Sequence, residues 1–240
     1  MPETLVIVPT YNEAEALRGI IGRLRQEVPD ADILIVDDNS PDGTGQIADD
    51  LAAGDTAVSV LHRSAKEGLG RAYIAGFQRG LDAGYRYLVE IDADGSHDPA
   101  ELAGMISAAE ADSADLVIGS RWVTGGAVLN WPWIRRAISR IGNRYARRVL
   151  RSRIRDLTSG YRVFRAEALQ SVHFDRVSSQ GYCFQVELAW RLEKAGYRIV
   201  EIPITFVERT MGRSKMHVGI VAEALLRITL WGLSPQRSQR

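Results

Sequence analysis

Two aspartates separated by one residue, Asp92 and Asp94, directly follow the apolar run at residues 87–91. Carboxylates at the end of a buried strand are costly to desolvate unless a counterion offsets their charge. Hard divalent cations such as Mg²⁺ or Mn²⁺ bind carboxylate oxygens together with the phosphates of a substrate. The spacing therefore predicts a metal site that handles a nucleotide diphosphate. The alternative is a simple turn at the end of the strand, where Asp and Gly are common.

Polar side chains also follow other apolar runs that the sequence predicts as strands. They come after the first, second and fifth of these runs, and they are Pro9, Tyr11, Glu13, Asp38 and Arg121. Ligands of an open parallel sheet bind beyond the carboxyl ends of its strands, so these residues are expected at one edge with the aspartate pair. There Tyr11 can stack on a base, and Asp38 can accept hydrogen bonds from a base or a ribose. A metal at the aspartate pair can neutralise a pyrophosphate.

Strands and helices in alternation must position these residues. The first half of the chain alternates apolar runs with segments of helical periodicity, which predicts an α/β fold with a mostly parallel sheet covered by helices on both faces. Asn12 followed by Glu15 predicts the start of the first helix. Asp98 followed by Pro99 predicts another helix start, just after the aspartate pair.

Other motifs for nucleotide or acyl chemistry are weak or absent. Gly68-Leu69-Gly70 begins like a dinucleotide-binding fingerprint, but Tyr73 stands at its third glycine position and the motif does not follow the first strand. The sequence contains no Walker A motif and no Gly-X-Ser-X-Gly nucleophile elbow. His97 is either a further metal ligand or a hydrogen-bonded side chain beside a helix cap, and the second role is the commoner one for a lone histidine.

Composition narrows the class of protein. The 240 residues carry 30 basic and 30 acidic side chains, so the formal charge of zero argues against a nucleic-acid partner bound through bulk charge. Cys183 is the only cysteine, which excludes an intramolecular disulfide and suits a reducing, cytoplasmic location. No secretory signal is expected at the N-terminus. The apolar segment at residues 218–233 contains Glu223 and Arg227 and is too short and too charged to cross a bilayer unaided.

Residues 131–155 form a strongly basic stretch, with nine arginines and no acidic residue. Apolar residues within it recur every three or four positions, and they are Ile134, Ile138, Ile141, Tyr145 and Val149. This spacing predicts a basic amphipathic helix at about residues 131–152. One interpretation is a surface helix that packs its apolar face on the core. The other is contact with an anionic membrane surface, which suits cations beside tryptophans.

Several motifs together resemble a known family. The first group is Val8-Pro9-Thr10-Tyr11-Asn12-Glu13, residues 36–44, residues 66–70, residues 92–97 and Gly119-Ser120-Arg121. This group is similar to the signature of family 2 glycosyltransferases of GT-A fold. A second group resembles the narrower set of polyprenol (dolichol) monophosphate mannose synthases, and it comprises Asn130-Trp131, Arg135, residues 139–143, residues 156–162, residues 208–209, Gly212 and residues 214–216. The resemblance covers nearly the whole chain.

The resemblance implies a GDP-mannose donor and a metal cofactor. The residues implied in donor binding are Pro9, Tyr11, Glu13, Asp38 and Asp92. Mg²⁺ or Mn²⁺ is expected at Asp92 and Asp94. Some relatives have Gln as a further residue of the metal site, and this chain has Ser96 there, so Ser96 is the candidate third ligand.

The acceptor implied by the resemblance is a polyprenyl monophosphate, whose oxygen is already an anion at neutral pH. Such a nucleophile attacks the anomeric carbon without an enzymatic base, while the metal stabilises the departing diphosphate. Relatives with hydroxyl acceptors carry an aspartate base in the segment equivalent to residues 181–185, where this chain has Gln185. Arg121, Arg135 and Ser139 are the predicted clamp for the acceptor phosphate, although Arg135 by itself also fits a solvated surface side chain.

Arg209 and Lys215 lie in a loop that contains Gly212 and is rich in hydrogen-bond donors. We expect this loop to close over the diphosphate of the donor, and the alternative is an ordinary surface loop between a strand and a helix. The expected catalytic residues are then Asp92, Asp94, Arg121 and Arg209.

The sequence thus predicts a GT-A catalytic domain at residues 1–210, which includes the basic helix, and a C-terminal interfacial helix with a polar tail at residues 211–240 as part of the same unit. The predicted reaction is inverting transfer of mannose from GDP-mannose to a polyprenyl monophosphate, which gives polyprenyl-phosphate-β-mannose and GDP. Two alternatives are a UDP-glucose-dependent transferase with the same lipid acceptor and a nucleotide-binding module without turnover. The protein is expected to be peripheral on the cytoplasmic face of the membrane, held there by interfacial helices or by a separate membrane-anchoring protein.

Overall fold

Strands and helices alternate along the first half of the chain, as the periodicity predicts. A computed structural model describes residues 3–111, 113–174, 177, 182–208 and 218–233, without the side chains of residues 182 and 218–222. The strands are β1 (Thr4–Thr10), β2 (Asp32–Asp37), β3 (Val58–His62), β4 (Tyr87–Glu90), β5 (Leu116–Ser120), β6 (Ala127–Leu129), β7 (Arg162–Arg165), β8 (Ile199–Pro203) and β9 (Thr205–Val207). The helices are α1 (Leu17–Glu27), α2 (Thr44–Gly54), α3 (Leu69–Asp82), α4 (Leu102–Ala111), α5 (Trp133–Leu150), α6 (Ala166–Gln170), α7 (Tyr182–Lys194) and α8 (Val218–Leu233).

Seven of the described strands form one sheet in the order β3-β2-β1-β4-β7-β5-β8. Strand β7 runs antiparallel to β4 and β5, and the other neighbours in this sheet are parallel. The two other described strands, β6 and β9, form a separate parallel pair. From β1 the chain continues to β2 on one side of the sheet, and from β4 it continues to β5 on the other side. A ligand is therefore expected at the carboxyl ends of β1 and β4, where the strand order reverses. Asp92 and Asp94 follow β4 at this place.

Helices cover both faces of the sheet. Ile7 and Leu88 belong to an apolar cluster shared with α3, α5 and α7, whereas Val6 and Val89 belong to a second cluster shared with α1 and α4. Because both faces are buried, the central strands are apolar at successive positions rather than at alternate ones. Helix α3 lies very close to the sheet, since a Cβ atom at Gly76 would be 2.5 Å from a methyl carbon of Ile7.

The two predicted helix starts have different outcomes. The start at Asn12 is wrong, because α1 begins at Leu17 and Asn12 has a left-handed φ of +58° while its N–H donates to Ser40 Oγ at 3.1 Å. Asn tolerates this backbone region better than most residues. The start at Asp98 is confirmed, because its side chain accepts a hydrogen bond from the N–H of Ala100 and opens a 3₁₀ turn that leads into α4.

Helix α5 confirms the predicted basic amphipathic helix, but its apolar stripe is divided. Tyr145 and Val149 are half-buried against the core, and Val149 touches α8, where a Cβ at Gly232 would be 2.4 Å from it. The other three residues of the stripe are exposed, at 53% for Ile134, 52% for Ile138 and 68% for Ile141. The interpretation as a surface helix packed on the core therefore holds for one part of α5, and membrane contact stays a prediction for the other. The C-terminal half packs on the protein, and the N-terminal half leaves an apolar surface uncovered by any described residue.

Helix α8 packs on α5 and α7. Tyr145 Oη and Thr229 Oγ1 are 2.6 Å apart, and the rings of Trp190 and Trp231 stack with centroids 6.0 Å apart. The predicted boundary between residues 1–210 and 211–240 falls outside the described residues and stays a prediction. In the ranges that the structure covers, no helix is long and apolar enough to cross a membrane.

Candidate active site

A buried carboxylate joins the ends of β1 and β2. Thr10 Oγ1 donates to Asp37 Oδ1 at 3.0 Å, and Ser40 Oγ donates to the same oxygen at 2.6 Å. The N–H of Ser40 donates to the other carboxylate oxygen at 3.1 Å. Asp37 therefore shapes the loop after β2, next to the predicted ligand-binding residue Asp38.

Asp38 is paired with an arginine that the sequence reasoning missed. Its Oδ1 accepts a hydrogen bond from Arg63 Nη1 at 2.5 Å, and Arg63 also pairs with Glu67. In the same loop, Lys66 Nζ lies 3.9 Å from the centroid of the Tyr11 ring. Burial raises the pKa of the Asp38 carboxyl, although the charge of Arg63 opposes this shift. The loop after β3 thus reaches both predicted nucleoside-binding residues.

The position of Arg63 offers a signal that could have identified it, because it directly follows β3 and sites in such sheets lie beyond strand ends. Two further predicted donor-binding residues, Pro9 and Glu13, are at the end of β1. Pro9 lies within this strand, and Glu13 lies in the loop after it, where its N–H donates to Thr44 Oγ1 at 3.0 Å.

Hydrogen bonds orient both predicted metal ligands. Tyr73 Oη donates to Asp92 Oδ1 at 3.1 Å, and the N–H of Ser96 donates to Asp94 Oδ1 at 3.0 Å. Gly95 makes this turn possible with a φ of +73°. Burial, together with the charge of Asp92, raises the pKa of the Tyr73 hydroxyl well above its usual value, so Tyr73 stays protonated and acts as the donor. Tyr73 is a positioning residue that lies in a helix far along the sequence from Asp92, and no local signal pointed to it.

Gln185 lies beside Asp92, with Gly160 at their junction. A Cβ atom at Gly160 would be 3.5 Å from Asp92 Oδ2 and 3.7 Å from Gln185 Nε2. Gln185 is 2% exposed, and its Oε1 has no hydrogen-bond partner among the described residues. The position at which the resemblance implies a base in relatives with hydroxyl acceptors therefore lies near Gly160, as the predicted metal ligand Asp92 does, and it carries a neutral amide.

A buried acid, Glu90, and a buried arginine, Arg162, lie on the neighbouring strands β4 and β7. Arg162 Nε is 3.9 Å from Glu90 Oε2, and both side chains are fully buried. Burial raises the pKa of Glu90 to about 8, although the charge of Arg162 opposes the shift. Arg162 also donates to the carbonyls of Leu157, Ser159 and Gln185 at 2.8 Å each. It thereby ties the segment before β7 and helix α7 to the strand that ends at the aspartate pair.

Arg121 is held by a buried carboxylate. Its Nε and Nη2 donate to the two oxygens of Asp156 at 2.8 Å each, and Nη2 also donates to Thr158 Oγ1 at 2.9 Å. Arg121 is 7% exposed and Asp156 is fully buried. Burial favours the neutral acid, but the guanidinium prevails and keeps the pKa of Asp156 below its usual value. Sequence reasoning found Arg121 and missed Asp156, which lies 35 residues further along the chain.

The predicted clamp residues Arg121 and Arg135 meet at one aromatic ring. The Cζ atoms of Arg121 and Arg135 lie 5.6 Å and 4.3 Å from the centroid of Trp131. Arg135 is also paired with Glu208, so its side chain is anchored rather than freely solvated.

Ser139 connects to the same group through Asn143. The Nδ2 of Asn143 donates to the carbonyl of Ser139 at 3.1 Å and to Thr158 Oγ1 at 3.0 Å. Thr158 in turn accepts the hydrogen bond from Arg121. The structure therefore brings Arg121, Arg135 and Ser139 to one region.

A row of rings connects this region with the aspartate pair. His97 follows that pair, and the centroid of its ring lies 5.0 Å from the ring centroid of Tyr161 and 5.2 Å from that of Phe206. Phe206 in turn lies 5.3 Å from Trp131 and 5.4 Å from the Arg121 guanidinium. Burial lowers the pKa of His97 to about 4, so its imidazole is neutral near pH 7. The two predicted halves of the site are therefore joined by packed aromatic side chains.

Two predicted site residues, Arg209 and Lys215, lie outside the described residues. In the described ranges, no group of three or more His, Cys, Asp or Glu side chains is arranged to hold a metal ion. Asp92 and Asp94 still fit Mg²⁺ or Mn²⁺, because these ions are commonly bound by one or two carboxylates with substrate phosphates as further ligands. Ser96 is buried, and its N–H is used by Asp94.

Comparison with known proteins identifies the family. Residues 5–172 match the family described as Glycosyl transferase family 2, a range that includes the aspartate pair, Arg121 and all of α5. The chain belongs to glycosyltransferase family 2. This confirms the resemblance read from the motifs.

This glycosyltransferase is similar to two bacterial proteins over nearly its whole length. It is 54% identical over 230 residues to the undecaprenyl-phosphate mannosyltransferase of Micrococcus luteus, covering 96% of this chain and 94% of that protein. It is 52% identical over 231 residues to the polyprenol monophosphomannose synthase of Mycolicibacterium smegmatis, covering 96% and 87%.

Solved structures confirm the GT-A fold. A mannosyltransferase from Pyrobaculum calidifontis, in complex with GDP-Man and Mn²⁺, superposes with a TM-score of 0.62 at 15% identity, over 97% of this glycosyltransferase and 70% of that chain. Glucosyl-3-phosphoglycerate synthase from Mycobacterium tuberculosis, in complex with Mn²⁺ and UDP-glucose, superposes with a TM-score of 0.71 at 18% identity, over 99% and 81%. At these identities the likeness concerns the fold alone.

Proposed function

We propose that this glycosyltransferase transfers mannose from GDP-mannose to a polyprenyl monophosphate with inversion, giving polyprenyl-phosphate-β-mannose and GDP. One observation carries the proposal: the packed rings of His97, Phe206 and Trp131 connect two regions of opposite charge. The first, the donor region, presents the carboxylates of Asp92 and Asp94. The second, the acceptor region, presents arginines. The names of the two relatives that are more than half identical support the same reaction.

The donor region would bind the nucleotide from base to diphosphate. Tyr11 and Asp38 would contact the base or ribose, together with Arg63 and Lys66 of the facing loop. Pro9 and Glu13 would complete this part of the site. Tyr73 would keep Asp92 oriented through its 3.1 Å hydrogen bond.

The aspartates Asp92 and Asp94 would hold Mg²⁺ or Mn²⁺, with Ser96 as the candidate third ligand. A bound ion of this kind neutralises charge that develops on a leaving diphosphate. Arg209 and Lys215, outside the described residues, are proposed to contact the same diphosphate. Arg209→Ala should accordingly lower turnover more than it lowers the melting temperature.

The acceptor region would hold the lipid phosphate. Arg121, Arg135 and Ser139 would bind its oxygens, because guanidinium groups match phosphate geometry. One phosphate oxygen forms the new bond to the anomeric carbon, the bond from that carbon to the β-phosphate oxygen breaks, and GDP leaves with the electron pair. The nucleophile has no proton to lose, which agrees with a neutral Gln185 beside Asp92.

We further propose that the protein is peripheral on the cytoplasmic face of a membrane. Trp133 is 76% exposed and continues the uncovered stripe of Ile134, Ile138 and Ile141. On α8, Leu226 and Leu233 are exposed by 61% and 75%. Apolar side chains with arginines on the flanking helix face are typical of a helix at an anionic lipid surface. A separate membrane-anchoring protein remains compatible with this arrangement.

A transfer assay tests the reaction. Purified protein, Mg²⁺ or Mn²⁺ and a detergent-dispersed polyprenyl phosphate would be supplied with GDP-mannose or with UDP-glucose, and the lipid product identified by mass spectrometry. We expect a mannosyl lipid that disappears when the metal is chelated. Faster transfer from UDP-glucose would favour a glucosyltransferase, and the absence of any transfer would favour a nucleotide-binding module.

A further inference from the structure

A cavity of about 340 Å³ opens between α5 and the segment that follows β5. Five arginines line it: Arg121, Arg140, Arg144, Arg147 and Arg155. Arg121 forms one wall and is already paired with Asp156. The other four are separate from the residues proposed to bind the acceptor phosphate.

The charges of these four arginines lack a counterion in the described structure. No described carboxylate lies within ion-pair distance of the guanidinium groups of these four arginines, and the buried Nε of Arg147 has no described hydrogen-bond partner. Glu201 Oε2 accepts a hydrogen bond from the backbone N–H of Arg155 at 2.7 Å. Arginines of α1 differ in this respect. For example, Arg18 pairs with Asp50 at 3.0 Å and Arg25 with Asp55 at 2.9 Å, although both pairs are partly solvated.

The chemistry of the lining suits a phosphate group. Guanidinium groups donate paired hydrogen bonds that match phosphate oxygens, and several converging arginines give a much stronger anion site than one. The Trp122 ring supports this convergence, since the Cζ of Arg140 lies 4.8 Å from its centroid.

The surroundings of the cavity indicate where the phosphate comes from. Ile141 lines the cavity and is also 68% exposed at the end of the uncovered apolar stripe of α5. A phosphate bound here would therefore adjoin an apolar surface, as a headgroup adjoins the acyl chains of its lipid. This continuity favours a lipid over a free phosphate ion.

We propose that this cavity binds the phosphate of an anionic bilayer phospholipid, at a place separate from the acceptor phosphate. The inference rests on the proposed membrane contact, but not on which sugar is transferred. Arg121 and Asn143 border both the cavity and the acceptor region, so the bound headgroup would lie next to the proposed acceptor clamp.

Vesicle flotation tests the proposal with two matched double variants. R140Q/R144Q removes two charges that line the cavity, and R136Q/R148Q removes two exposed charges of the same helix that do not line it. Vesicles would contain phosphatidylcholine alone or with about 30 mol% phosphatidylglycerol, at an ionic strength of about 0.15 M.

We expect the wild type to prefer the anionic vesicles. The partition coefficient of R140Q/R144Q should fall at least about tenfold further than that of R136Q/R148Q. An equal fall of the partition coefficient in the two variants would mean diffuse attraction of the whole basic helix to the membrane. That result would overturn the proposed phosphate site in the cavity. A wild type that floats with neither vesicle would instead refute the membrane contact itself.

A soluble probe separates a lipid headgroup from a free phosphate. Dihexanoyl-phosphatidylglycerol, used as a monomer, should raise the Tm of the wild type and of R136Q/R148Q but not of R140Q/R144Q. Inorganic phosphate at the same concentration and ionic strength should give a smaller shift. An equal shift with inorganic phosphate would overturn the lipid assignment, and an equal shift of all three proteins would overturn the site. Because no sugar nucleotide or polyprenyl phosphate is present, failure here is distinct from failure of the proposed transfer reaction.

Discussion

The donor region and the acceptor region solve opposite problems of charge. In the donor region, the carboxylates of Asp37, Asp92 and Asp94 stand at strand ends and accept hydrogen bonds from neighbouring hydroxyl and amide groups. In the acceptor region, the positive charges of Arg121 and Arg135 are paired with Asp156 and Glu208. The four other arginines of the neighbouring cavity have no described counterion.

The difference follows from what each region is proposed to bind. A small divalent ion needs a few oxygens at fixed positions, and short side chains on rigid strands provide this at low entropic cost. A phosphate on a lipid carries its own charge and arrives with an apolar chain. Long arginine side chains beside an uncovered apolar stripe can adapt to such a ligand, and the ligand supplies the missing counterion.

Removing a carboxylate from the donor region should have the largest effect. In the wild type, the Ser96 N–H donates to Asp94 Oδ1 at 3.0 Å. Asp94→Asn keeps an oxygen that can accept this hydrogen bond, but it removes one negative charge. We expect kcat/KM for GDP-mannose to fall by about 10³, or roughly 4 kcal/mol. Calorimetric titration should show weaker Mn²⁺ binding, with the melting temperature nearly unchanged. Full activity with normal metal affinity would remove Asp94 from the metal site.

Breaking the buried pair of the acceptor region should reduce stability most. Asp156→Asn leaves Arg121, which is 7% exposed, without its charged partner. We expect the free energy of unfolding in urea to fall by about 3–5 kcal/mol. Asp50→Asn, which breaks the exposed pair with Arg18, should cost less than about 1 kcal/mol.

The same carboxylate has a defined pH dependence. The pKa of Asp156 is lowered from 3.8 in the folded protein, so its stabilising effect is present above that value and is lost as the pH falls through the lower folded pKa. The difference in stability between wild type and Asp156→Asn should therefore shrink in acid. A constant difference down to the acid transition would contradict the ion-pair assignment.

Removing the hydroxyl that orients Asp92 should have an intermediate effect. Tyr73→Phe deletes the donor of the 3.1 Å hydrogen bond, and we expect the Kd for Mn²⁺ to rise about tenfold. Tyr85→Phe is the matched control, because its hydroxyl donates to Asp32 at 2.5 Å, away from the aspartate pair. If both variants changed metal affinity equally, Tyr73 would have no positioning role.

Truncating an exposed isoleucine of the uncovered stripe should have the smallest effect on the stability of the isolated protein. Ile138 is 52% exposed, so Ile138→Ala should leave the melting temperature almost unchanged but weaken partition to anionic vesicles by about three- to tenfold. Leu150→Ala, on the same helix but at 2% exposure, should lower the free energy of unfolding by about 2–5 kcal/mol. Unchanged vesicle binding of Ile138→Ala would separate the stripe from the membrane.

Local patterns in the sequence were enough for the fold class and for the strand-end residues. The apolar runs before Asp38, Asp92 and Arg121 specify buried strands, and parallel strands necessarily align their carboxyl ends. The helix of residues 133–150 was equally readable, because its apolar spacing is local. The start of α1 could not be predicted from local sequence, because the N–H of Asn12 donates to Ser40 Oγ in a different loop.

Only the tertiary structure decided which side chains support the site. Tyr73 donates a hydrogen bond to Asp92, which is 19 residues away in the sequence. The hydrogen bonds from Arg63 to Asp38 and from Arg121 to Asp156 join residues 25 and 35 positions apart. It also decided that α8 covers Val149 but leaves Ile138 and Ile141 exposed. The spacing of residues along a strand or helix determines which face they share, whereas contacts between elements depend on how the whole chain packs. The sequence alone therefore identified the candidate groups for the chemistry, and the packing of distant elements determined the partners that hold the described ones in place.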